Sequence, residues 1–362
     1  KNNIMRQWNF CAGPAAISEE VLQDLKSELL EYKNSGTSVM EMSHRSEIYT
    51  KIAHEAKSDL IEILNIPNNY EVLFLQGGAT YQFSMIPMNF KHLTGIADYV
   101  TTGTWTKKAH AEGSKIIDIN EIYSSEDSNF TCAPDIEKLD ISENASYVHY
   151  CPNETIQGNA IHDVPNINKP LIADMSSVIL SEPIDISKFS LIYAGAQKNI
   201  GPAGLTIVII DKEFMSMDDN SLPNLLRYSQ HSKSNSMLNT PPTFAWYMAG
   251  KVFKWIKNSG GLDYFKELNH KKASKLYGYI DDSSFYSNPV DINNRSIMNV
   301  TFVLADSGLD SLFLEESNTN GLLSLKGHRS IGGMRASIYN AMPLKGVEEL
   351  IEFMKYFESK YG

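Results

Sequence analysis

Residues 191–210 read LIYAGAQKNIGPAGLTIVII, a stretch that places one lysine, Lys198, among small residues and glycines between two apolar runs. A solvent-exposed lysine needs no such setting, because its flexible stem keeps the ammonium group in water. The small neighbours indicate that a planar or phosphorylated group comes close to the backbone. A loop lysine between two buried strands also fits this stretch, so the rest of the sequence has to distinguish the two interpretations.

The composition is that of a globular protein and argues against a nucleic-acid-binding surface. The chain has 362 residues, 42% of them hydrophobic and 21% charged, with a formal net charge of -11. No apolar run of about 18 uncharged residues and no signal-peptide pattern occurs. The three cysteines are widely separated and no His/Cys cluster has metal-ligand spacing. We therefore expect a cytoplasmic protein with reduced cysteines and no metal.

Short apolar runs alternate with helical stretches through much of the chain. Amphipathic helices are predicted at residues 18–34 and 46–64, and the apolar runs that follow are YEVLFLQ, YVTTG, KIIDI, YVHYC, LIAD, LIYAG and LTIVII. Continuous apolar strands that alternate with helices are typical of a largely parallel sheet covered on both faces. The sequence therefore predicts an α/β fold.

A smaller α+β lobe is predicted after a long helix at residues 240–258. Its strand candidates are MNVTFVL, LLSLKG and MRASIYN, and a closing helix is predicted at residues 346–359. We place the boundary at the Ser-Gly-Gly segment that follows the long helix. This gives a large domain over residues 18–259 and a small domain over residues 260–362 that also includes residues 5–17.

Two of the strands in the predicted large domain are followed by chemically reactive side chains. Asp174 is the last residue of the apolar run LIAD, and Lys198 comes shortly after the next strand, LIYAG. In parallel sheets ligands collect at the carboxyl ends of the strands, so these two side chains are expected to lie side by side. Pyridoxal 5′-phosphate needs such a pair, a lysine for its Schiff base and a carboxylate that keeps a proton on its pyridine nitrogen.

Other strand ends carry groups that suit the same cofactor. Trp105 follows YVTTG and offers a flat face for the ring, although a core or interface tryptophan fits that position as well. Thr155 in PNET places a hydroxyl near the phenolic oxygen. Ala79 and Thr80 follow a double glycine at a predicted helix N-terminus, which together with Gln197 suits a phosphate.

Basic residues stand out against the acidic background in two places. His44 and Arg45 occur in MEMSHRSE, and His328, Arg329 and Arg335 occur in KGHRSIGGMRAS. Each group suits either a solvated face or an anion site. Three arginines and two histidines in glycine- and serine-rich settings favour the anion site.

The ordered motifs NFCAGPA, HRS, QGGAT, TGTWTKKA, PNETIQG, ADMSS, AGAQKNIGPAG, NTPPTF and GHRSIGGMRASIYNA resemble the phosphoserine aminotransferase family across nearly the whole chain. The resemblance implies a fold-type I, pyridoxal-phosphate-dependent homodimer. Its reaction would convert 3-phosphohydroxypyruvate and L-glutamate into O-phospho-L-serine and 2-oxoglutarate. A second role known in the family, on the phosphorylated four-carbon acid of vitamin B6 synthesis, stays open.

The resemblance also implies roles for individual residues. Lys198 would be the Schiff-base lysine and Asp174 the partner of the pyridine nitrogen. The other implied cofactor contacts are Ala79, Thr80, Trp105, Thr155 and Gln197 from one subunit, and Asn239 and Thr240 of the partner subunit. The implied substrate-anion residues are His44, Arg45, His328, Arg329 and Arg335, with Arg45 acting in the partner's site. Where this chain has Ala79, some members carry an arginine, which leaves more of the distal anion to the other basic residues.

Two other classes compete with this interpretation. Enzymes of the same fold include cysteine desulfurases and alanine–glyoxylate aminotransferases, but a desulfurase conventionally takes its nucleophilic cysteine from the C-terminal lobe and no cysteine follows Cys151. A non-catalytic pyridoxal-phosphate-binding regulator would carry a DNA-binding module. Because the enzyme fold accounts for almost all residues and the net charge is negative, the sequence favours the aminotransferase.

Overall fold

The computed structural model describes residues 6–329 and 331–362. Its helices are α1 (Glu19–Glu28), α2 (Glu47–Ile63), α3 (Ala79–Thr94), α4 (Thr104–Gly113), α5 (Lys212–Ser216), α6 (Tyr228–Lys233), α7 (Thr243–Asn258), α8 (Gly261–Asp282), α9 (Asp310–Thr319) and α10 (Leu344–Tyr361). Its strands are β1 (Trp8–Asn9), β2 (Tyr70–Gln76), β3 (Ile96–Thr101), β4 (Asp118–Ser124), β5 (Val148–Tyr150), β6 (Asn153–Glu154), β7 (Asn159–Ala160), β8 (Leu171–Asp174), β9 (Leu191–Gly195), β10 (Leu205–Asp211), β11 (Tyr286–Ser287), β12 (Asn299–Leu304), β13 (Leu322–Leu323) and β14 (Met334–Ser337).

A seven-stranded sheet in the order β2-β10-β9-β8-β5-β3-β4 forms the centre of the molecule. Every neighbouring pair is parallel except the two that involve β10, which runs antiparallel to both β2 and β9. A short loop that contains Lys198 joins β9 to β10 without a crossover helix, so the second strand has to return antiparallel. The predicted α/β fold with a mostly parallel sheet is confirmed.

Both faces of this sheet are buried, as the continuous apolar strands predicted. Along β9, Leu191 and Tyr193 belong to a core shared with α3 and α4. Ile192 and Ala194 point to the opposite face, into a core shared with α1, α2 and α7. Alternation along a strand thus supplies two cores from one apolar run. None of the helices in the described part of the chain is long and apolar enough to cross a membrane.

A third core lies in the C-terminal lobe, where α8, α9 and α10 pack on the antiparallel sheet β11-β12-β14. The N-terminal segment reaches this lobe, because β1 pairs with β13 and Phe10 is buried in the same core. Helix α8 contacts both parts, since Leu262 and Phe265 near its start pack into the large core. The extent of each domain stays a prediction.

Buried polar groups hold the C-terminal lobe against the large sheet near Lys198. Lys272 of α8 donates through Nζ to three carbonyl groups of residues 338–342, at 2.8 to 2.9 Å. The backbone N–H of Asn340, in the same segment, donates to Oδ1 of Asn199 at 3.0 Å. The strand β14 and the loop that carries Lys198 are therefore held in one arrangement.

The predicted helix at residues 18–34 is wrong in its second half, because α1 ends at Glu28. Beyond it the chain turns back so that Tyr32 is buried against Tyr247, with ring centroids 5.7 Å apart in an edge-on contact. Lys33 completes the turn with a φ of 45°. Leu29 and Leu30 continue the apolar spacing of α1 in the sequence but are exposed in the structure, which explains the overlong prediction.

Two predicted strands also shift. KIIDI at residues 115–119 begins too early, because Ile116 and Ile117 donate their backbone N–H groups to the Gly113 carbonyl at 2.8 and 3.0 Å and still belong to the turn after α4. LLSLKG keeps only the two residues of β13, since Ser324 has a φ of 64° and ends the pairing. Apolar content alone does not reveal where a turn interrupts a strand.

Candidate active site

The loop after β9 and the end of β8 bring Lys198 and Asp174 to the same edge of the sheet. The two strands are parallel neighbours, with Asp174 opposite Tyr193, two residues before β9 ends at Gly195. The charge of Lys198 lowers the pKa of Asp174 and the charge of Asp174 raises that of Lys198, each against the larger opposite effect of burial. We call this region the strand-end site.

Asp174 is held in one orientation by the turn that follows it. Its Oδ1 accepts hydrogen bonds from the backbone N–H and the hydroxyl of Ser176, at 3.0 and 2.6 Å. The same serine hydroxyl accepts from the Gly195 N–H at 3.0 Å, which ties β8 to β9. Burial raises the pKa of Asp174, and the Lys198 charge and the Ser176 hydrogen bonds offset this only in part. The site thus holds a buried, oriented carboxyl group.

The Lys198 amine lies between a hydroxyl group and an aromatic ring. Its Nζ donates to Oγ1 of Thr155 at 2.6 Å and lies 5.7 Å from the centre of the Trp105 ring. Burial lowers the pKa of Lys198, although the negative charge of Asp174 opposes the shift. A lowered pKa increases the fraction of neutral amine, which is the form that acts as nucleophile or base.

Two buried donors at this site have no hydrogen-bond partner among the described residues. They are Nε1 of Trp105, in the first turn of α4, and Nε of Arg335 on β14. Arg335 Nη1 does donate to the Thr155 carbonyl, at 3.4 Å. Unpartnered buried donors also occur elsewhere in the described chain, for example Nε1 of Trp246, but at the strand-end site these two are available to an anionic or polar ligand.

The N-terminus of α3 offers a place for a phosphate group. The helix begins at Ala79, after Gly78 with a φ of 71°, and no side chain caps its first N–H groups. Thr80 is exposed on the first turn. Gln197 packs against Gly195, where a Cβ would come within 2.7 Å of its Oε1. Uncapped N–H groups at a helix N-terminus favour a bound anion.

A group of cationic side chains faces the same site. Burial lowers the pKa of His328, and the positive charges of Arg335, Lys108 and Arg329 lower it further, in that order. Lys108 also lies 4.6 Å from the centre of the Trp105 ring. A ligand with two separate anionic groups would be attracted to such a cluster.

Four of the predicted residues lie outside the strand-end site of their own chain. Arg45 is exposed, and its guanidinium makes no hydrogen bond or ion pair within the described residues; His44 beside it is partly exposed. Asn239 and Thr240 are exposed beyond the end of β2, where the Thr240 carbonyl accepts from Gln76 Nε2 at 2.7 Å. In the part of the chain that the structure describes, no hydrogen bond joins these four residues to the strand-end site.

Three further residues of this region have no role predicted from the sequence. Ser176, which orients Asp174, could have been found from the Asp-x-Ser spacing that is typical of such turns. Lys108 could have been found from its i, i+3 spacing from Trp105 on a predicted helix. Glu154, which contacts the start of α4, gave no signal because its partners are distant in sequence.

Comparisons with known proteins agree with this arrangement. The family described as Aminotransferase class-V matches residues 7–350. The phosphoserine aminotransferase of Hahella chejuensis is 52% identical over 98% of this chain and 99% of that protein. The structure of phosphoserine aminotransferase from Bacillus circulans subsp. alkalophilus superimposes with a TM-score of 0.96 at 46% identity, covering 99% of each chain. The pyridoxal-phosphate-bound enzyme from Trichomonas vaginalis gives 0.92 at 40% identity, covering 97% of this chain and 100% of that one.

Proposed function

The chain belongs to the class-V aminotransferase family, and from this premise we propose that it is a phosphoserine aminotransferase with pyridoxal 5′-phosphate as its cofactor. It transfers the amino group of L-glutamate to 3-phosphohydroxypyruvate and gives O-phospho-L-serine and 2-oxoglutarate, the transamination step of serine biosynthesis. The reaction is reversible because an amino acid and a keto acid are converted into another amino acid and another keto acid. The observation that carries the proposal is the placement of Lys198 and Asp174 at the ends of neighbouring parallel strands, in a chain about as long as its curated relatives.

The residues of the strand-end site fit this cofactor, and each is assigned a separate role. Bound pyridoxal phosphate supplies a conjugated ring that stabilises negative charge at the substrate α-carbon. We assign Lys198 Nζ as the base that takes the proton from this carbon, which suits its lowered pKa. Asp174 holds a proton at the pyridine nitrogen. Trp105 would cover one face of the ring, and Thr155 would bond its phenolic oxygen.

The phosphate of the cofactor is assigned to the N-terminus of α3. There the N–H groups of Ala79 and Thr80 have no capping side chain, and Gln197 lies beside Gly195. The positive end of the helix dipole adds to the attraction.

The cationic side chains are assigned to the substrate anions. Arg335 presents a planar fork that binds an α-carboxylate with two parallel hydrogen bonds, and both substrates carry this group. His328 and Arg329 bind the distal anion, the side-chain carboxylate of glutamate or the phosphate of the acceptor. One site serves both substrates in turn, so the kinetics are expected to be ping-pong.

The preference for a phosphorylated acceptor is tested with two keto acids. With L-glutamate as donor, we expect kcat/KM for 3-phosphohydroxypyruvate to exceed that for hydroxypyruvate by roughly 100-fold, because charge-assisted hydrogen bonds to the phosphate are lost with the second acceptor. The release of 2-oxoglutarate is followed in both reactions, and the KM for glutamate is the internal control. Equal values for the two acceptors would contradict the assignment of the distal anion site.

We further propose that the enzyme is a homodimer with shared active sites. Arg45, Asn239 and Thr240 are exposed on their own chain, which leaves them free to reach the strand-end site of a second copy. A two-fold interface would bring each set of residues to the other subunit's lysine. Arg45 would then bind the distal anion in the partner's site, and His44 would act beside it.

Co-expressed mixed dimers test this arrangement. One chain carries Lys198→Ala and one affinity tag, the other carries Arg45→Ala and a different tag, and two purification steps isolate the mixed species. One site collects both substitutions and the other collects neither, so we expect about half the wild-type activity per dimer. Each homodimeric variant, nearly inactive by itself, is the control. A mixed dimer no more active than the two inactive homodimers would place Arg45 in the site of its own chain.

We also propose that the protein works in the cytoplasm. The support is that all three cysteines are free thiols, at positions 11, 132 and 151. Structural disulfides are rare in reducing compartments, so free thiols agree with that location.

A further inference from the structure

Glu154 is a fully buried carboxylate that contacts the first turn of α4 from outside the helix. Its Oε2 accepts a hydrogen bond from the backbone N–H of Trp105 at 3.0 Å. Its Oε1 accepts from the backbone N–H and the hydroxyl of Thr106, at 2.9 and 2.6 Å. The residue before the helix, Gly103, has no side chain, so Glu154 provides the cap that the helix itself lacks.

The contacts of Glu154 fit the charged form of the side chain. Both oxygens accept hydrogen bonds from backbone N–H groups, those of Trp105 and Thr106, and an ionised carboxylate offers acceptors only. A negative charge at the N-terminus of a helix is also stabilised by the helix dipole. Burial raises the pKa of Glu154, the hydrogen bonds from Thr106 and Trp105 offset this only in part, and the charge of Asp174 adds to the rise.

Gly103 makes this contact possible. A Cβ at that position would lie 2.3 Å from Cδ of Glu154 and 2.6 Å from its Oε2. Any other residue would push the carboxylate away from α4. The glycine in TGTW is therefore required by the space that Glu154 occupies.

Glu154 connects two groups that the proposed function assigns to the cofactor. It bonds the backbone of Trp105, and its neighbour Thr155 bonds Lys198. The short strand β6 and the first turn of α4 are thus joined by one buried carboxylate. We propose that Glu154 is a positioning residue that fixes the Trp105 ring against the cofactor. The inference rests on the proposed function, because it takes Trp105 as the face on which the cofactor ring lies.

Binding of pyridoxamine 5′-phosphate to the protein freed of cofactor tests the proposal without a covalent bond to the lysine and without turnover. We expect Glu154→Gln, which keeps the size of the side chain but sets an NH₂ group against an N–H donor, to raise the dissociation constant about tenfold in calorimetric titration. Trp105→Ala should weaken binding as well. If Glu154 acts through Trp105, adding Glu154→Gln to Trp105→Ala should change the dissociation constant less than about twofold.

Glu126→Gln is the matched control, because it removes an exposed carboxylate that pairs with Lys107 of α4. This variant should bind pyridoxamine phosphate as the wild type does. Thr106→Val removes the 2.6 Å hydrogen bond to Glu154 together with the contacts of the same hydroxyl to the backbone of Thr102 and Gly103. It should weaken binding in the same direction, which keeps the test open if Glu154→Gln does not fold. Wild-type affinity in both variants, or an equal further loss in the Trp105→Ala background, would overturn the proposal. A wild-type protein that binds no pyridoxamine phosphate would instead overturn the proposed function.

Discussion

Lys198→Ala is expected to lower kcat by about 10⁴-fold or more and to leave the protein folded. The lysine supplies both the covalent attachment point of the cofactor and the base for the α-carbon, so no other group can replace it. Its only described hydrogen bond is the one to Thr155, and its removal also relieves the cost of burying an ammonium group. The melting temperature of the cofactor-free protein should therefore change by only a few degrees.

Absorption spectroscopy separates the loss of chemistry from a loss of binding. The variant should lack the visible band that depends on a bond between the lysine and pyridoxal phosphate, while calorimetry still detects bound pyridoxamine phosphate. Lys188→Ala, which removes an exposed lysine from the same part of the chain, should keep both the band and the activity. Repeated turnover near the wild-type rate in Lys198→Ala would refute the assignment of the lysine.

Local patterns in the sequence predicted the strands because each strand is apolar on both faces and is bounded by a turn. The direction of β10 was harder to foresee, since it depends on the absence of a helix between Lys198 and the next strand. The error at the end of α1 has another cause. Tyr32 is buried by a contact with Tyr247, a residue of α7 far along the chain, and spacing within α1 carries no information about that contact.

The residues of the candidate site also divide into those that local sequence predicts and those that it does not. Asp174 and Lys198 could be identified because each follows its own strand directly, so local order gives their position in space. Glu154 could not be identified, because its role comes from hydrogen bonds to residues 105 and 106, almost fifty positions earlier. Arg45 is a third case, since its side chain is exposed on its own chain and the role that we propose for it depends on a second chain.

Asp174→Asn is expected to lower kcat by roughly 10³-fold while the variant still binds the cofactor. The amide oxygen can keep the hydrogen bonds from Ser176, so the turn and the fold should survive. What is lost is the negative charge that holds a proton on the pyridine nitrogen, and with it the ability of the ring to accept electrons from the substrate. The ¹⁵N chemical shift of labelled cofactor should therefore move from the protonated to the neutral range.

Asp185→Asn is an unusually close control for this substitution. Oδ1 of Asp185 accepts from the N–H and the hydroxyl of Ser187 at 3.0 and 2.6 Å, the same two distances that Asp174 has to Ser176. Asp185 is exposed and lies in a turn away from Lys198, so its replacement tests the cost of the turn alone. We expect wild-type activity and an unchanged nitrogen shift in the control. Equal losses in the two variants would mean that Asp174 stabilises its turn and that another group holds the proton on the ring.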